Sequence, residues 1–141
     1  MRRVIYPLFA AIIATILYSL YNRPAVSDAD RIRQVIATVA KAAEEKDAAK
    51  IVGLVDDAYS DNRDNSKQTL RAVLVQLFMS YRDIKTTVSH ISVEVEGETA
   101  EAAFKGTVSG DGATWYGSFV VSFVKRGKHW LIRKVHVEEE R

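Results

Sequence analysis

Three histidines, His90, His129 and His136, are the side chains here whose ordinary pKa lies near neutrality, so acid–base chemistry would first look to them. His90 breaks an alternating apolar run just before Ile91, and His129 abuts a turn; the spacing of the three does not suggest a metal triad. Asp56, Asp57, Asp61 and Asp64 gather around the stretch SDNRDN at 60–65. A calcium loop needs ligands at alternate positions and a central glycine, and this stretch reads instead as a solvated loop. Gly110-Asp111-Gly112 lies between two strand-like runs, which makes it a hairpin turn and not a dinucleotide cradle. No G-x-S-x-G elbow is present. The absence of cysteine removes disulfides, thiolate metal sites and a thiol nucleophile. Neither a metal nor a cofactor is expected. Trp115 and Tyr116, just after the glycine-rich turn, suit either a pocket rim or the core.

Positioning these residues requires two kinds of element. Ser27 or Asp28 can cap a helix whose apolar residues Ile32, Val35, Ile36, Val39, Ala42 and Ala43 recur at steps of three and four, forming one stripe. Asp47 can cap a second, short helix carrying Ile51, Leu54, Val55 and Ala58. Ser66 can cap a third, with Leu70, Val73, Leu74, Leu77, Phe78 and Tyr81 on one side. From Ile84 the period changes to two. Runs around Ile91–Val95, Ala100–Val108, Trp115–Phe123 and His129–Val137 are separated by turns at Glu96-Gly97-Glu98, Gly110-Asp111-Gly112 and Arg126-Gly127-Lys128, a pattern for an antiparallel meander. The last two runs carry apolar residues at both parities, such as Val120 beside Val121, so a second copy is expected to cover the outer sheet face.

The chain has 141 residues, with 48% hydrophobic and 27% charged, as in ordinary globular proteins. Its net charge of +2 is unevenly distributed. Arg2, Arg3 and Arg23 stand in the first 27 residues without an acid, so 17 of the 20 basic residues face all 18 acids in the remainder. A nearly neutral domain lacks the positive field that draws phosphate backbones, which excludes nucleic acid as an expected partner. Val4 to Tyr21 is an 18-residue run without a charge, about 27 Å long as a helix and close to the roughly 30 Å hydrocarbon core. Arg2 and Arg3 before it favour a cytoplasmic N-terminus and an extracytoplasmic domain. Two readings follow: a single-pass anchor in the inner (cell) membrane, or a secreted or periplasmic product cleaved near Ser27, where Ala25 and Ser27 have the small-residue spacing of a signal peptide.

The segment Asp47-x3-Ile51-x2-Leu54-Val55, the helix Leu70–Tyr81 and the closing hairpin Gly127-Lys-His-Trp130-Leu-Ile132 give the chain a pattern that resembles the nuclear transport factor 2-like (SnoaL-like) superfamily over about residues 30–138. The resemblance implies a cone of three helices wrapped by a bent sheet, an internal pocket and dimerisation through the sheet. The superfamily includes isomerase- and dehydratase-like enzymes beside non-enzymatic members. Its steroid isomerase-like enzymes pair a tyrosine with acids deep in the cone. Tyr59 and Tyr81 could reach the cone here, and His90 could lie near its mouth, whereas Glu94 and Glu101 alternate with core residues and so point outward.

The expected fold is therefore α+β: three helices in a cone on a curved four-stranded antiparallel sheet, with an N-terminal transmembrane helix. Residues 1–27 form the anchor or signal segment and 28–141 the domain. The expected function is a non-catalytic binding or assembly module held at the membrane through residues 4–21. It would bind a small apolar ligand or an envelope protein partner, with Tyr59, Tyr81, His90 and Trp115 as ligand-binding candidates and the sheet as the surface of a homodimer. The alternative is a small isomerase- or dehydratase-like enzyme using a tyrosine or histidine in the cone.

Overall fold

A computed structural model of the protein describes residues 10–15 and 26–140. Most of the apolar run at 4–21 lies outside the described residues. Residues 10–15 are helical, and among the described residues no helix is long and apolar enough to cross a membrane.

Helix α1 spans Asp28–Glu44, and the Ser27 hydroxyl caps it by accepting from the Asp30 amide at 3.1 Å. Its stripe buries Ile32, Ile36 and Ala42, with Val35 and Val39 packed beside them. Lys46, at φ 57°, turns the chain into the short helix α2, Ala48–Gly53, capped by Asp47. Helix α3, Lys67–Ser80, begins with a reciprocal capping box between Ser66 and Thr69. Its expected one-sided stripe is only partly realised: Phe78 is buried and Leu70 and Leu74 half-buried, while Val73 and Leu77 remain exposed.

The sheet has five strands, not four, in the order β1-β5-β4-β3-β2: β1 Val55–Asp61, β2 Ile84–Glu96, β3 Thr99–Gly110, β4 Ala113–Arg126 and β5 His129–Glu139. The last four form the expected antiparallel meander, and β1 lies parallel to β5. Val55 and Ala58, expected on a helix, therefore belong to a strand. Gly53 ends α2, and β1 is irregular: Val55 pairs with Ile132 and Ser60 with Lys134, so the four residues 56–59 oppose Arg133 alone and the two-residue alternation is lost.

Helix α1, with Leu70 of α3, joins the concave sheet face in a core built around Phe123, Ile32 and Val55, while Ile51 of α2 packs in a second cluster with Ala42, Phe78 and Ile84. A second bulge curls β2. Ser89 pairs with Lys105 and Ser92 with Ala103, so His90 and Ile91 together oppose Phe104, and His90 takes φ 56°. The curl carries β2 against α1, where the Thr86 hydroxyl donates to the Ala40 carbonyl at 3.1 Å.

Candidate functional site

Between the helices and the concave sheet lies a cavity of about 280 Å³. Val39 and Ala43 line it from α1, Leu74 and Phe78 from α3, and Phe104 and Phe119 from the sheet. The two phenyl rings stack with centroids 5.0 Å apart and form part of the wall without filling the space. Polar groups on the wall are confined to hydroxyls, those of Tyr59, Thr86, Thr87 and Thr107. Thr86 is committed to Ala40, and Thr87 and Thr107 hydrogen-bond to each other across the β2–β3 pair. No histidine, acid or base lines the cavity.

Of the four candidate residues, the structure brings Tyr59 alone to the cavity wall. Its hydroxyl donates to Asp61 Oδ2 at 2.8 Å. Burial, then this hydrogen bond and the negative charge beside it, push the hydroxyl well above its ordinary value of 10.0. Asp61 is the hub of the 61–66 loop. Its Oδ1 accepts from the amides of Arg63 (2.9 Å) and Asn65 (3.0 Å), and its Oδ2 also accepts from the Asn65 side chain at 3.1 Å. Desolvation alone would raise the Asp61 pKa, but the donors from Asn65, Tyr59 and Arg63 outweigh it and hold the carboxyl below the usual range. The pair thus holds a proton on tyrosine and a charge on aspartate, with the hydroxyl hydrogen turned to the loop. In the sequence Asp61 reads only as part of a solvated loop. The signal available was the spacing Tyr59-x-Asp61-x3-Asn65.

The other three lie away from this cavity wall. His90 is exposed at the bulge, and its Nδ1 lies 3.1 Å from the Ser89 hydroxyl. Trp115 lies over Gly117, where an added Cβ would come within 2.4 Å of the indole, and meets Phe119 edge-on at 5.7 Å. Tyr81 covers Gly110 in the same way, with its ring 2.9 Å from a would-be Cβ, and its carbonyl accepts from Lys46 Nζ. Both aromatics protect a bare backbone stretch where a side chain is lacking. Glu94 and Glu101 face each other on the exposed sheet surface, as their alternation implied.

A buried carboxylate does exist, away from the cavity wall. Asp56 Oδ1 accepts from Arg126 Nε and Oδ2 from the Ala58 amide, both at 3.1 Å. The Arg126 hydrogen bond, then that of Ala58, keep it ionised below the usual range. Among the described residues no group of histidines and acids is arranged to hold a metal ion.

No family model matches the sequence, and no curated protein matches it. Solved structures do match in shape. Bd1075 of Bdellovibrio bacteriovorus superposes with a TM-score of 0.72 at 14% identity, over 78% of this chain and 40% of that one, so this chain spans well under half of it. A protein of unknown function from Pseudomonas putida KT2440, described as NTF2-like, gives 0.71 at 15% identity, covering 81% and 87% of the two chains. A putative scytalone dehydratase from Novosphingobium aromaticivorans gives 0.69 at 11% identity, covering 79% and 83%. The described domain thus has the fold of nuclear transport factor 2-like proteins.

Proposed function

We propose that the domain is a non-catalytic binding module whose cone takes up a small, neutral, apolar ligand. One observation carries this reading: the cavity wall is hydrocarbon and committed hydroxyl, without a charge or a free proton donor or acceptor of suitable pKa. A bound anion or cation would lose its hydration without gaining a partner, which excludes charged ligands on energetic grounds. The run at 4–21 supports holding the module at the outer side of a cell membrane, where apolar molecules and envelope proteins are both within reach. The test is a titration of the methyl-labelled full-length protein, in detergent, with naphthalene. Saturable shifts of the Ile36, Val39, Leu74 and Ile84 methyl signals are expected. Shifts that grow without saturation, or that spread over the exposed Val73 and Val120 alike, would remove the reading.

The Tyr59–Asp61 pair favours a second reading, an isomerase- or dehydratase-like enzyme, and solved structures described as dehydratases share this fold. In that case the tyrosine would have to exchange its bond to Asp61 for one to substrate. Tyr59→Phe separates the two: an enzyme loses turnover with the variant, whereas a binding module keeps its naphthalene affinity. A second copy on the outer sheet face is the remaining proposal, supported by the exposed Tyr116 and Val120 on β4. Sedimentation of the Val120→Lys variant tests it, since a dimer through that face would dissociate.

A further inference from the structure

A second depression, of about 730 Å³, lies on a different face of α1, between the helix, the end of α2 and the β4–β5 turn. Leu54 and Trp130 contribute apolar surface, and Arg31, Arg126, Lys128 and His129 contribute donors of positive or titratable character. Gln34 and Thr38 add neutral polar groups, and no acid lines it. The basic groups are not equivalent. Arg126 is held by Asp56 at 3.1 Å, and Lys125 beside the depression by Asp28 at 3.5 Å. Arg31 Nη1 donates to the Lys128 carbonyl at 3.4 Å, which brings the two residues together, and among the described residues neither forms an ion pair. Arg31 and Lys128 are therefore the basic side chains of the depression outside any ion pair, although Arg31 also feels the charge of Asp28 one turn before it.

The chain reaches the domain on the rim of this depression. Ser27 caps α1, and the Trp130 indole Nε1 donates to Asp28 Oδ1 at 3.0 Å, tying the first residue of the helix to the hairpin. Between Tyr21 and Ser27 the backbone reaches at most about 20 Å even when fully extended, at roughly 3.4 Å per residue. We propose that this depression receives the phosphate headgroup of an anionic phospholipid and so sets the hairpin end of the domain against the membrane surface. The choice of a lipid source rests on the tether reading of residues 4–21; the complementarity of Arg31 and Lys128 to a phosphate does not.

The test uses the full-length protein with vesicles of phosphatidylcholine alone or with about one-third phosphatidylglycerol. Flotation with the neutral vesicles reads the tether. Amide hydrogen exchange over residues 126–131 reads the depression. Exchange there should slow about five-fold or more on anionic relative to neutral vesicles, the scale of one basic side chain at such a surface. The slowing should vanish in about 0.5 M salt and in the Arg31→Gln/Lys128→Gln variant, and persist in the Arg31→Lys/Lys128→Arg variant. A chain that floats only with anionic vesicles would support the depression while removing the tether. Equal exchange on both membranes, or the same slowing by inorganic phosphate without lipid, would overturn the proposal.

Discussion

Replacing Ala43 by leucine tests the cavity from the inside. Ala43 sits in the last turn of α1, lines the cavity and packs against the cluster of Ala42, Ile51, Phe78 and Ile84. Leucine adds three carbons, whose burial at about 0.8 kcal/mol each contributes roughly 2.4 kcal/mol. Fixing the longer side chain costs about 0.5–1 kcal/mol, and helix propensity changes little between the two residues. A cavity of about 280 Å³ has room for the added carbons without displacing Phe104 or Phe119. The expected result is a gain of about 1.5 kcal/mol in urea unfolding, a melting temperature higher by roughly 5 °C, and naphthalene affinity reduced at least tenfold in the methyl titration. Refutation is equally concrete. A destabilised variant would mean the space is already filled, as overpacking costs about 1–3 kcal/mol. Unchanged naphthalene affinity would mean that the probe binds elsewhere.

Tyr59→Phe should cost about 1.5 kcal/mol in denaturant unfolding, because the lost donor served a charged acceptor that keeps its bonds from Arg63 and Asn65. Gly117→Ala should cost about 1–3 kcal/mol and change the near-ultraviolet dichroism, since the Trp115 ring occupies the space the new methyl needs. The pH dependence follows from Asp56 and Asp61, both held below their ordinary 3.8. A carboxyl with a depressed folded pKa contributes stability that is present above 3.8 and lost as pH falls through the folded value. Unfolding curves should therefore be flat above about pH 5 and steepen under acid. Asp56→Asn should flatten that acid limb, measured by the urea midpoint at successive pH values, and an unchanged limb would remove Asp56 from the account.

The elements whose partners are local could be read from the residues. The α1 stripe, the caps at Ser27, Asp47 and Ser66, and three hairpin turns each write their signal within a few positions. Strand β1 could not be read this way. Its pairing partner lies on β5, and its bulged register hides the alternation that would have marked it. The place of Tyr59 on the cavity wall was expected from the resemblance, whose steroid isomerase-like members carry a tyrosine deep in the cone. That Tyr81 and His90 lie off the cavity wall was not legible, because covering a glycine and forming a bulge depend on residues distant in the sequence, Gly110 and Phe104 respectively. Trp115 carried a local clue in Gly117, two residues on, where aromatic and glycine share a strand face. The outward direction of Glu94 and Glu101 was legible, since both alternate with apolar neighbours along their strands. The basic depression was legible by half: Lys125, Arg126 and Lys128 cluster around the last hairpin in the sequence, but Arg31 meets Lys128 only once α1 lies beside it.

The parallel pairing of β1 with β5 also orders events in time. Each hairpin from β2 to β5 closes over a two-residue turn, whereas joining Val55 to Ile132 brings together positions on opposite sides of the whole meander. Closing so large a loop carries an entropy penalty that short hairpins avoid, so the meander should assemble early and β1 should dock late. The wall at Tyr59 and Val55 belongs to that late strand, so the cone is open on one side until the final step. In a refolding experiment, naphthalene would then act on the unfolding rate and leave the folding rate nearly untouched, making the ligand a clock for the last closure.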